Sequence, residues 1–344
     1  MVTHASTAKD LGFGRYFTDR MFVMDWTPDG GWHGGRVAPR AELALDPAAA
    51  VLHYGQAMFE GLKAMRGPNG RAQLFRVDRH AARMAAGAER LCVPVVPPAA
   101  FEQAVIELVR AEQAAIPREP DASLYIRPTL VATEAFLGVR PAQAYAFFVI
   151  CSPVGPYFAE GARPLKIWVE RDEVRAVRGG LGAVKTGANY AASLHAAALA
   201  KARGYAQVLW LDGVERKYLE EVGTMNVFVR VRDEVVTPPL DGTILAGVTR
   251  DAVITLLRGW GIKVSERKNS IDEVDAAHAA GDLDEAFGTG TAAVIAPIGE
   301  LGVDGRALTV AGGGVGPLSA RLLDEIAGIQ RGTRPDPHGW VRPV

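Results

Sequence analysis

Apolar runs separated by turn-forming residues predict β structure at the start of the chain. The runs form two pairs, and each pair flanks a cluster of proline, glycine and aspartate or asparagine. Runs 21–24 and 34–37 flank the cluster 28–31, and runs 62–65 and 72–75 flank the cluster 67–70. These residue types adopt the backbone angles that tight turns require. We therefore predict two strand–turn–strand units in this region.

Apolar residues at helical spacing come next. Residues 78–91 and 98–116 predict two helices, and Pro98 suits the first turn of the second one. Segments 124–131 and 144–150 then return to the composition of strands.

The second half of the chain mixes both patterns. Strands are predicted at 165–170, 207–211, 227–231 and 293–298. Helices are predicted at 190–203, stopped by Gly204, and at 249–260, stopped by Gly261. Ser270 with Glu273 matches a capping box that begins a third helix. The fold class that follows is α/β, with α+β character in the first half.

Length and turn residues together predict two domains. A chain of 344 residues exceeds what one hydrophobic core usually serves. Two prolines and a glycine interrupt the pattern at 152–158. We expect a small N-terminal domain at 1–151, a linker at 152–158 and a larger C-terminal domain at 159–344.

Charge and composition exclude several classes of function. The formal charge is −1 and no dense Lys/Arg run occurs, which argues against nucleic acid as a partner. The sequence contains neither a signal-peptide core nor an apolar run of membrane-spanning length, so we expect a cytoplasmic protein. Cys92 and Cys151 lie among apolar residues, which predicts burial rather than a disulfide or a metal site.

Two of the eight lysines, Lys63 and Lys185, have apolar neighbours that indicate burial. A desolvated lysine loses its proton more easily and can form an imine with a carbonyl compound. Lys185 also follows a glycine-rich segment that lets the backbone approach a flat ligand, and this favours Lys185 over Lys63. A structural lysine with a packed stem remains the other interpretation.

Several spaced motifs resemble one family, the fold-type IV branched-chain amino-acid aminotransferases. They cover nearly the whole chain: His53-Tyr54-Gly-Gln-Ala-Met-Phe59-Glu60-Gly61-Leu-Lys63, Tyr125-Ile-Arg127-Pro, Leu137-Gly-Val139, Val184-Lys185-Thr-Gly-Ala-Asn-Tyr190, Glu220-Glu221-Val-Gly-Thr224-Met-Asn226, Gly247-Val-Thr249-Arg and Gly290-Thr291-Ala292. The resemblance implies a two-domain fold with pyridoxal 5'-phosphate (PLP) in the cleft between the domains, a homodimer, and no metal.

The resemblance also implies roles around the cofactor. Lys185 would form the Schiff base with PLP and move the proton, Glu221 would pair with the pyridine nitrogen, and Tyr190 would bind the ring oxygen. The phosphate would be bound by Arg83, Thr291 and the backbone amides of Val248 and Thr249. Taken singly, these residues have ordinary interpretations as well: a solvated acid, a core tyrosine, a surface arginine and a common helix start.

The substrate residues follow from the same resemblance. Tyr125 and Arg127 would bind carboxylate, with Arg127 serving the side-chain carboxylate of glutamate, and amides after Thr291, at Ala292, would take the α-carboxylate. An apolar pocket would be formed by Tyr54, Phe59, Thr224 and, from the neighbouring subunit, Leu137 and Val139. The implied reaction is a reversible ping-pong transfer of the amino group from leucine, isoleucine or valine to 2-oxoglutarate, which becomes glutamate.

Three alternatives remain at this point: a D-amino-acid aminotransferase, an aminodeoxychorismate lyase, and a non-catalytic small-molecule-binding protein. The Tyr125-Ile-Arg127 segment and the Gly-Thr-Ala motif argue against the first two, and the intact set of Lys185, Tyr190 and Glu221 argues against the third. One departure is informative. Ala293 and Ala296 stand where some relatives carry a Cys-x-x-Cys pair, which excludes a thiol switch there.

Overall fold

The described chain divides into two compact units. The structure is a computed structural model that describes residues 11–155 and 163–344. The first unit comprises the described part of Met1–Ala159, together with Val184–Gly187 and Gly328–Val344. The second comprises the described part of Glu160–Ala183 and Ala188–Ala327. The lysine predicted to be catalytic therefore lies in a short segment that belongs to the first unit.

The first unit is built on an antiparallel sheet of eight strands. These are β1 (Arg20–Thr27), β2 (Gly31–Pro39), β3 (Ala57–Phe59), β4 (Leu62–Arg66), β5 (Ala72–Phe75), β6 (Ser123–Ala132), β7 (Tyr145–Val154) and β17 (Val341–Pro343). Their order is β17-β5-β4-β6-β7-β1-β2, with β3 beside β6. The predicted hairpins are confirmed, because β1 pairs with β2 and β4 with β5.

Helices cover one face of this sheet. They are α1 (Ala50–Tyr54), α2 (Val77–Arg90) and α3 (Pro98–Ala111), the last followed by a 3-10 turn at Gln113–Ala115. Leu124, Ile126 and Leu130 of β6 enter the apolar core with residues of α2 and α3. Since side chains alternate along a strand, Tyr125, Arg127 and Thr129 share the other face, as predicted.

The second unit contains a small closed barrel. Its strands are β8 (Leu165–Glu170), β9 (Gln207–Leu211), β10 (Leu219–Val222), β11 (Met225–Val231), β12 (Glu234–Thr237), β13 (Lys263–Glu266), β14 (Leu283–Gly290), β15 (Val294–Val303) and β16 (Arg306–Thr309). The path β10-β9-β8-β15-β14-β11 returns to β10, because β10 also pairs with β11. Other strands pair with members of the barrel without closing it: β12 pairs with β11, and β16 pairs with β15.

The remaining helices flank these strands in the sequence. They are α4 (Gly187–Ala192), α5 (Leu194–Ala202), α6 (Val248–Gly259), α7 (Ile271–Ala280) and α8 (Pro317–Arg331). The capping box at the start of α7 is confirmed, since the Ser270 hydroxyl accepts from the Glu273 N–H and the Glu273 carboxylate accepts from the Ser270 N–H.

Three predictions are corrected. The single helix at 190–203 is two helices, because both the backbone N–H and the hydroxyl of Ser193 donate to the carbonyl of Tyr190 and break the regular pattern. Residues 152–154 of the predicted linker are the end of β7 and pair with β6, while 156–158 lie outside the described residues. Cys92 is exposed beyond the end of α2, whereas Cys151 is buried.

Candidate active site

Strand β3 holds the segment that carries Lys185. The N–H of Phe59 donates to the Lys185 carbonyl at 3.0 Å. The Thr186 hydroxyl donates to the Ala57 carbonyl at 2.7 Å. Strand β3 is in turn paired with β6, so the Lys185 carbonyl and the Thr186 side chain that follows it are fixed to the sheet of the first unit.

The Lys185 amine is partly desolvated. Burial lowers its pKa to about 8, the charge of Arg83 acts in the same direction, and the charge of Glu60 opposes both. Its Nζ lies 5.0 Å from the centroid of the Phe59 ring. A lysine with this pKa is partly neutral near physiological pH, which is the form that attacks a carbonyl carbon.

Lys63 resembles Lys185 in protonation but not in position. Burial, followed by the charge of Arg331, lowers the pKa of Lys63 to about 8 as well. The charged groups that act on Lys185 are instead Arg83, Glu60 and Arg127, together with the hydroxyl of Tyr125. The neighbours, rather than the pKa, distinguish the two lysines.

Arg83 is held by a buried carboxylate. Its Nε and Nη2 donate to the two oxygens of Glu60, each at 2.7 Å. His80, one helical turn before Arg83 on α2, has its Nδ1 2.8 Å from Glu60 Oε2. Burial alone would raise the pKa of Glu60, but the charge and hydrogen bonds of Arg83, with His80, lower it well below its usual range. Glu60 is therefore a carboxylate that fixes the guanidinium.

Arg127 presents a guanidinium on the face of the sheet opposite the helices. Its Nη2 donates to the Tyr125 hydroxyl at 3.0 Å, and its Cζ lies 4.6 Å from the centroid of the Phe59 ring. Its buried Nε has no hydrogen-bond partner among the described residues. A Cβ at Gly61 would lie 2.0 Å from the Tyr125 hydroxyl, so only glycine fits there. The arrangement suits a carboxylate ligand.

Tyr54, Leu137 and Val139 lie together at the surface of the single chain. The Tyr54 hydroxyl donates to the Leu137 carbonyl. The exposed fractions of Leu137 and Val139 are 61% and 85%. Their role in the pocket of a neighbouring subunit stays a prediction.

In the second unit, Glu221 is fixed by groups on three segments. It pairs with Asn226 across β10 and β11. One carboxylate oxygen accepts from the Leu245 N–H at 2.8 Å, and the other lies 3.3 Å from Arg175 Nε. Asn226 donates to the Leu245 carbonyl at 2.9 Å, so that Leu245 connects both side chains.

The same connection sets the start of α6. A Cβ at Gly247 would lie 1.9 Å from Asn226 Oδ1, so glycine allows α6 to begin against this side chain. Val248 and Thr249 form its first turn and are buried. The first N–H groups of a helix have no acceptor within it, and the helix dipole favours an anion at this end.

Two turns at one end of the barrel carry the remaining predicted residues. Asn226 pairs with Thr289 in the β11–β14 register, so the turn at 223–224 and the turn at 291–293 lie at the same end. Thr224 is exposed, while Thr291 and Ala292 are half-buried. Tyr190, on α4, is half-buried.

Sequence reasoning missed four residues that support the predicted ones: Glu60, His80, Arg175 and Asn226. For His80 a signal was available, because His80 and Arg83 are three residues apart and therefore lie on one face of a helix. Nothing local marked Arg175 in an arginine-rich chain.

The described residues also bear on metals and membranes. Among them, no group of three or more His, Cys, Asp or Glu residues could hold a metal ion. No helix in the same residues combines the length and the apolar character that crossing a bilayer requires.

Comparisons with known proteins identify the family. Amino-transferase class IV matches residues 57–301. Branched-chain-amino-acid aminotransferase 2 of Bacillus subtilis is 49% identical over 97% of this chain and 92% of its own length. Branched-chain-amino-acid transaminase 1 of the same organism is 50% identical, over 96% and 93%.

Solved structures agree in fold. The branched-chain amino acid aminotransferase of Escherichia coli has a TM-score of 0.78 at 26% identity, covering 93% of this chain and 98% of that one. The T.th. enzyme of the same name, complexed with N-(5'-phosphopyridoxyl)-L-glutamate, has a TM-score of 0.75 at 26% identity, covering 93% and 97%. The predicted fold class, family, activity and cofactor are thereby confirmed. The chain belongs to the class IV aminotransferases, as a PLP-dependent branched-chain amino-acid aminotransferase.

Proposed function

We propose that Lys185 is the residue that binds PLP covalently and then moves the proton at the α-carbon of the substrate. The observation that carries this assignment is the buried amine with a pKa of about 8 among Arg83, Glu60 and Arg127. With this pKa, the free amine of Lys185 would be a base of suitable strength to accept the α-proton near neutral pH.

The donor set fits the rest of the cofactor. When bound, PLP withdraws the electron pair that the α-carbon gains on losing its proton. Glu221, buried and held by Leu245 and Arg175, supplies a carboxylate to the pyridine nitrogen. Tyr190 binds the ring oxygen. The first turn of α6, with Val248 and Thr249, binds the phosphate together with Arg83 and Thr291.

The substrate assignments rest on the second face of the first sheet. Arg127 binds the side-chain carboxylate of glutamate and 2-oxoglutarate with the help of Tyr125, and its buried Nε, which has no hydrogen-bond partner in the described part of the chain, supports this role. The amides at Thr291 and Ala292 take the α-carboxylate. Tyr54, Phe59 and Thr224 supply apolar area for leucine, isoleucine or valine, and the transfer to 2-oxoglutarate is reversible and ping-pong.

The quaternary state belongs to the same proposal. The exposure of Leu137 and Val139 supports a homodimer in which these side chains complete the apolar pocket of the partner. We propose a cytoplasmic enzyme whose partners are its small-molecule substrates, branched-chain amino acids and 2-oxoglutarate, and not nucleic acid or a membrane. We also propose the domain division at 152–158, except that residues 152–154 form the end of β7.

The two buried lysines provide a matched test. We expect Lys185→Met to lose transamination of L-leucine and the borohydride-stable attachment of PLP, whereas Lys63→Met keeps both. In the wild-type apoprotein, the rate of attachment should rise with pH and level off above about 8, since the neutral amine reacts. Turnover near the wild-type rate in Lys185→Met, with its fold intact by circular dichroism, would refute the role of Lys185.

A further inference from the structure

A buried arginine lies behind the carboxylate assigned to the pyridine nitrogen. Arg175 is 8% exposed, and its Nε lies 3.3 Å from Glu221 Oε2. Its Nη2 donates to the carbonyl of Thr243 and lies 3.4 Å from the carbonyl of Gly182. Among the described residues Nε has no hydrogen-bond partner, so its contact with Glu221 is an ion pair, whereas Nη2 holds the guanidinium to the backbone of two segments.

These two segments approach each other closely. A Cβ at Gly182 would lie 2.2 Å from the Thr243 carbonyl oxygen, so the segment before Lys185 can reach Thr243 only with glycine at this position. Two residues after Thr243, the N–H of Leu245 donates to the other oxygen of Glu221. One oxygen thus faces a cation and the other accepts from a backbone donor, which leaves the carboxylate little freedom to rotate.

A second acid shares the surroundings of Arg175. Glu220 is 5% exposed, and its Oε2 has no hydrogen-bond partner among the described residues. Burial raises the pKa of Glu220 to about 7, and the charges of Glu221 and Asp241 act in the same direction. The Thr243 hydroxyl and the charge of Arg175 lower it. Of the two acids, Glu221 has the carboxylate oxygen in ion-pair contact with Arg175.

We propose that Arg175 is a positioning residue that keeps Glu221 ionised and oriented for the pyridine nitrogen of PLP. The inference rests on the role proposed for Glu221. Without Arg175, a carboxylate buried to 4% exposure would lose its cation, and burial would then favour the protonated form. A neutral or rotated Glu221 would make a weaker bond to the ring nitrogen.

Cofactor binding by the apoprotein tests this without relying on turnover. We would measure the dissociation constants of PLP and of the analogue in which a C–H group replaces the ring nitrogen. The change in the ratio of the two constants between a variant and the wild type reports on the contact to that nitrogen, because the difference in ring electronics between the two ligands is the same in both. For the wild type we expect a strong preference for PLP, and for Arg175→Gln a preference lowered about tenfold, as for the loss of a charge-assisted hydrogen bond.

Arg178 supplies the matched control. It lies in the same segment, and its ion pair is with Asp241, with 70% of the arginine side chain exposed. Arg178→Gln should leave the preference unchanged. Glu221→Gln should lower it as far as Arg175→Gln does, and the double variant Arg175→Gln/Glu221→Gln should lower it no further.

The outcomes separate this inference from the function proposed above. If Glu221→Gln loses the preference and Arg175→Gln retains it, the role of Arg175 is overturned while that of Glu221 stands. If Glu221→Gln retains it, the role of Glu221 itself fails. Should Arg175→Gln not fold, Arg175→Lys decides: an ammonium lacks the planar fork of donors with which the guanidinium contacts Glu221 and Thr243, so a preference equal to that of the wild type would contradict the proposal.

Discussion

The carboxylate of Glu60 opposes the effects of burial and of Arg83 on the pKa of Lys185. It is fully buried, accepts two bonds from Arg83 and contacts His80. It raises the pKa of Lys185, whereas burial and Arg83 lower it. Glu60 thus balances a cation that would otherwise make the lysine a still weaker base.

We expect Glu60→Gln to destabilise the holoenzyme by about 3 kcal/mol at pH 7, since Arg83 loses its charged partner. The pKa of Glu60 is lowered from 4.5 in the folded state, so its contribution is fully present above that value and is lost as the pH falls below it. Urea unfolding at pH 7 and pH 4 should therefore give a smaller difference from the wild type at pH 4. Glu89→Gln, on the exposed side of α2, is the control. An equal difference at both pH values would contradict this account.

The residues proposed to do chemistry are marked more clearly in the sequence than the residues that hold them. Lys185 and Glu221 were marked by their motifs. Glu60 and Arg175 act on partners that are distant in sequence, and neither periodicity nor spacing brings such pairs together before the fold is known. The pKa values could not be read from the sequence either, because Lys63 and Lys185 both have a pKa of about 8 for the same reason, burial.

At the scale of elements, local capping signals marked helix ends, whereas a buried strand without an apolar run was missed. The Ser270 capping box and Gly261 placed two helix ends to within a residue or two. Strand β14 was missed because residues 285–289 are all buried and include Gly288 and Thr289, so no alternation of polar and apolar residues appears. The helix break at Ser193 depended on a hydrogen bond that composition does not reveal.

The start of α6 offers a test at this scale. We expect Gly247→Ala to weaken PLP binding by the apoprotein about tenfold, because the added Cβ would displace either Asn226 or the first turn of the helix. Gly259→Ala, at the other end of α6, is the control, since its Cβ would meet nothing within 4 Å. Fluorescence titration measures both. Equal affinities would mean that the first turn of α6 does not bind the phosphate.

At the scale of the whole molecule, the order of the chain does not follow the two units. The segment Val184–Gly187 and the C-terminal segment Gly328–Val344 belong to the first unit, although the chain between them forms the second. Strand β17 pairs with β5, near the other end of the chain. Two-domain organisation could be predicted from length, but such returns of the chain depend on long-range pairing.

We expect Val139→Asp to weaken the proposed homodimer more than tenfold, because a charge would enter an apolar contact. Val214→Asp is the control: its exposed fraction, 83%, is close to the 85% of Val139, and it lies in a turn of the second unit. Sedimentation velocity over a range of concentrations measures the dissociation. If the wild type is a monomer, or if the two variants dimerise equally well, the segment that carries Val139 does not form a dimer interface.

The closed path of strands in the second unit has a consequence for how substrate preference can change. A ring of hydrogen-bonded strands has no edge to fray, so its hydrogen bonds are made between the strands themselves and not by the side chains in the turns that join them. Thr224, Thr291 and Ala292 lie in such turns. Selection, in nature or in the laboratory, can therefore exchange Thr224, which is proposed to contact only the substrate side chain, and change the preference for amino acids while the scaffold persists.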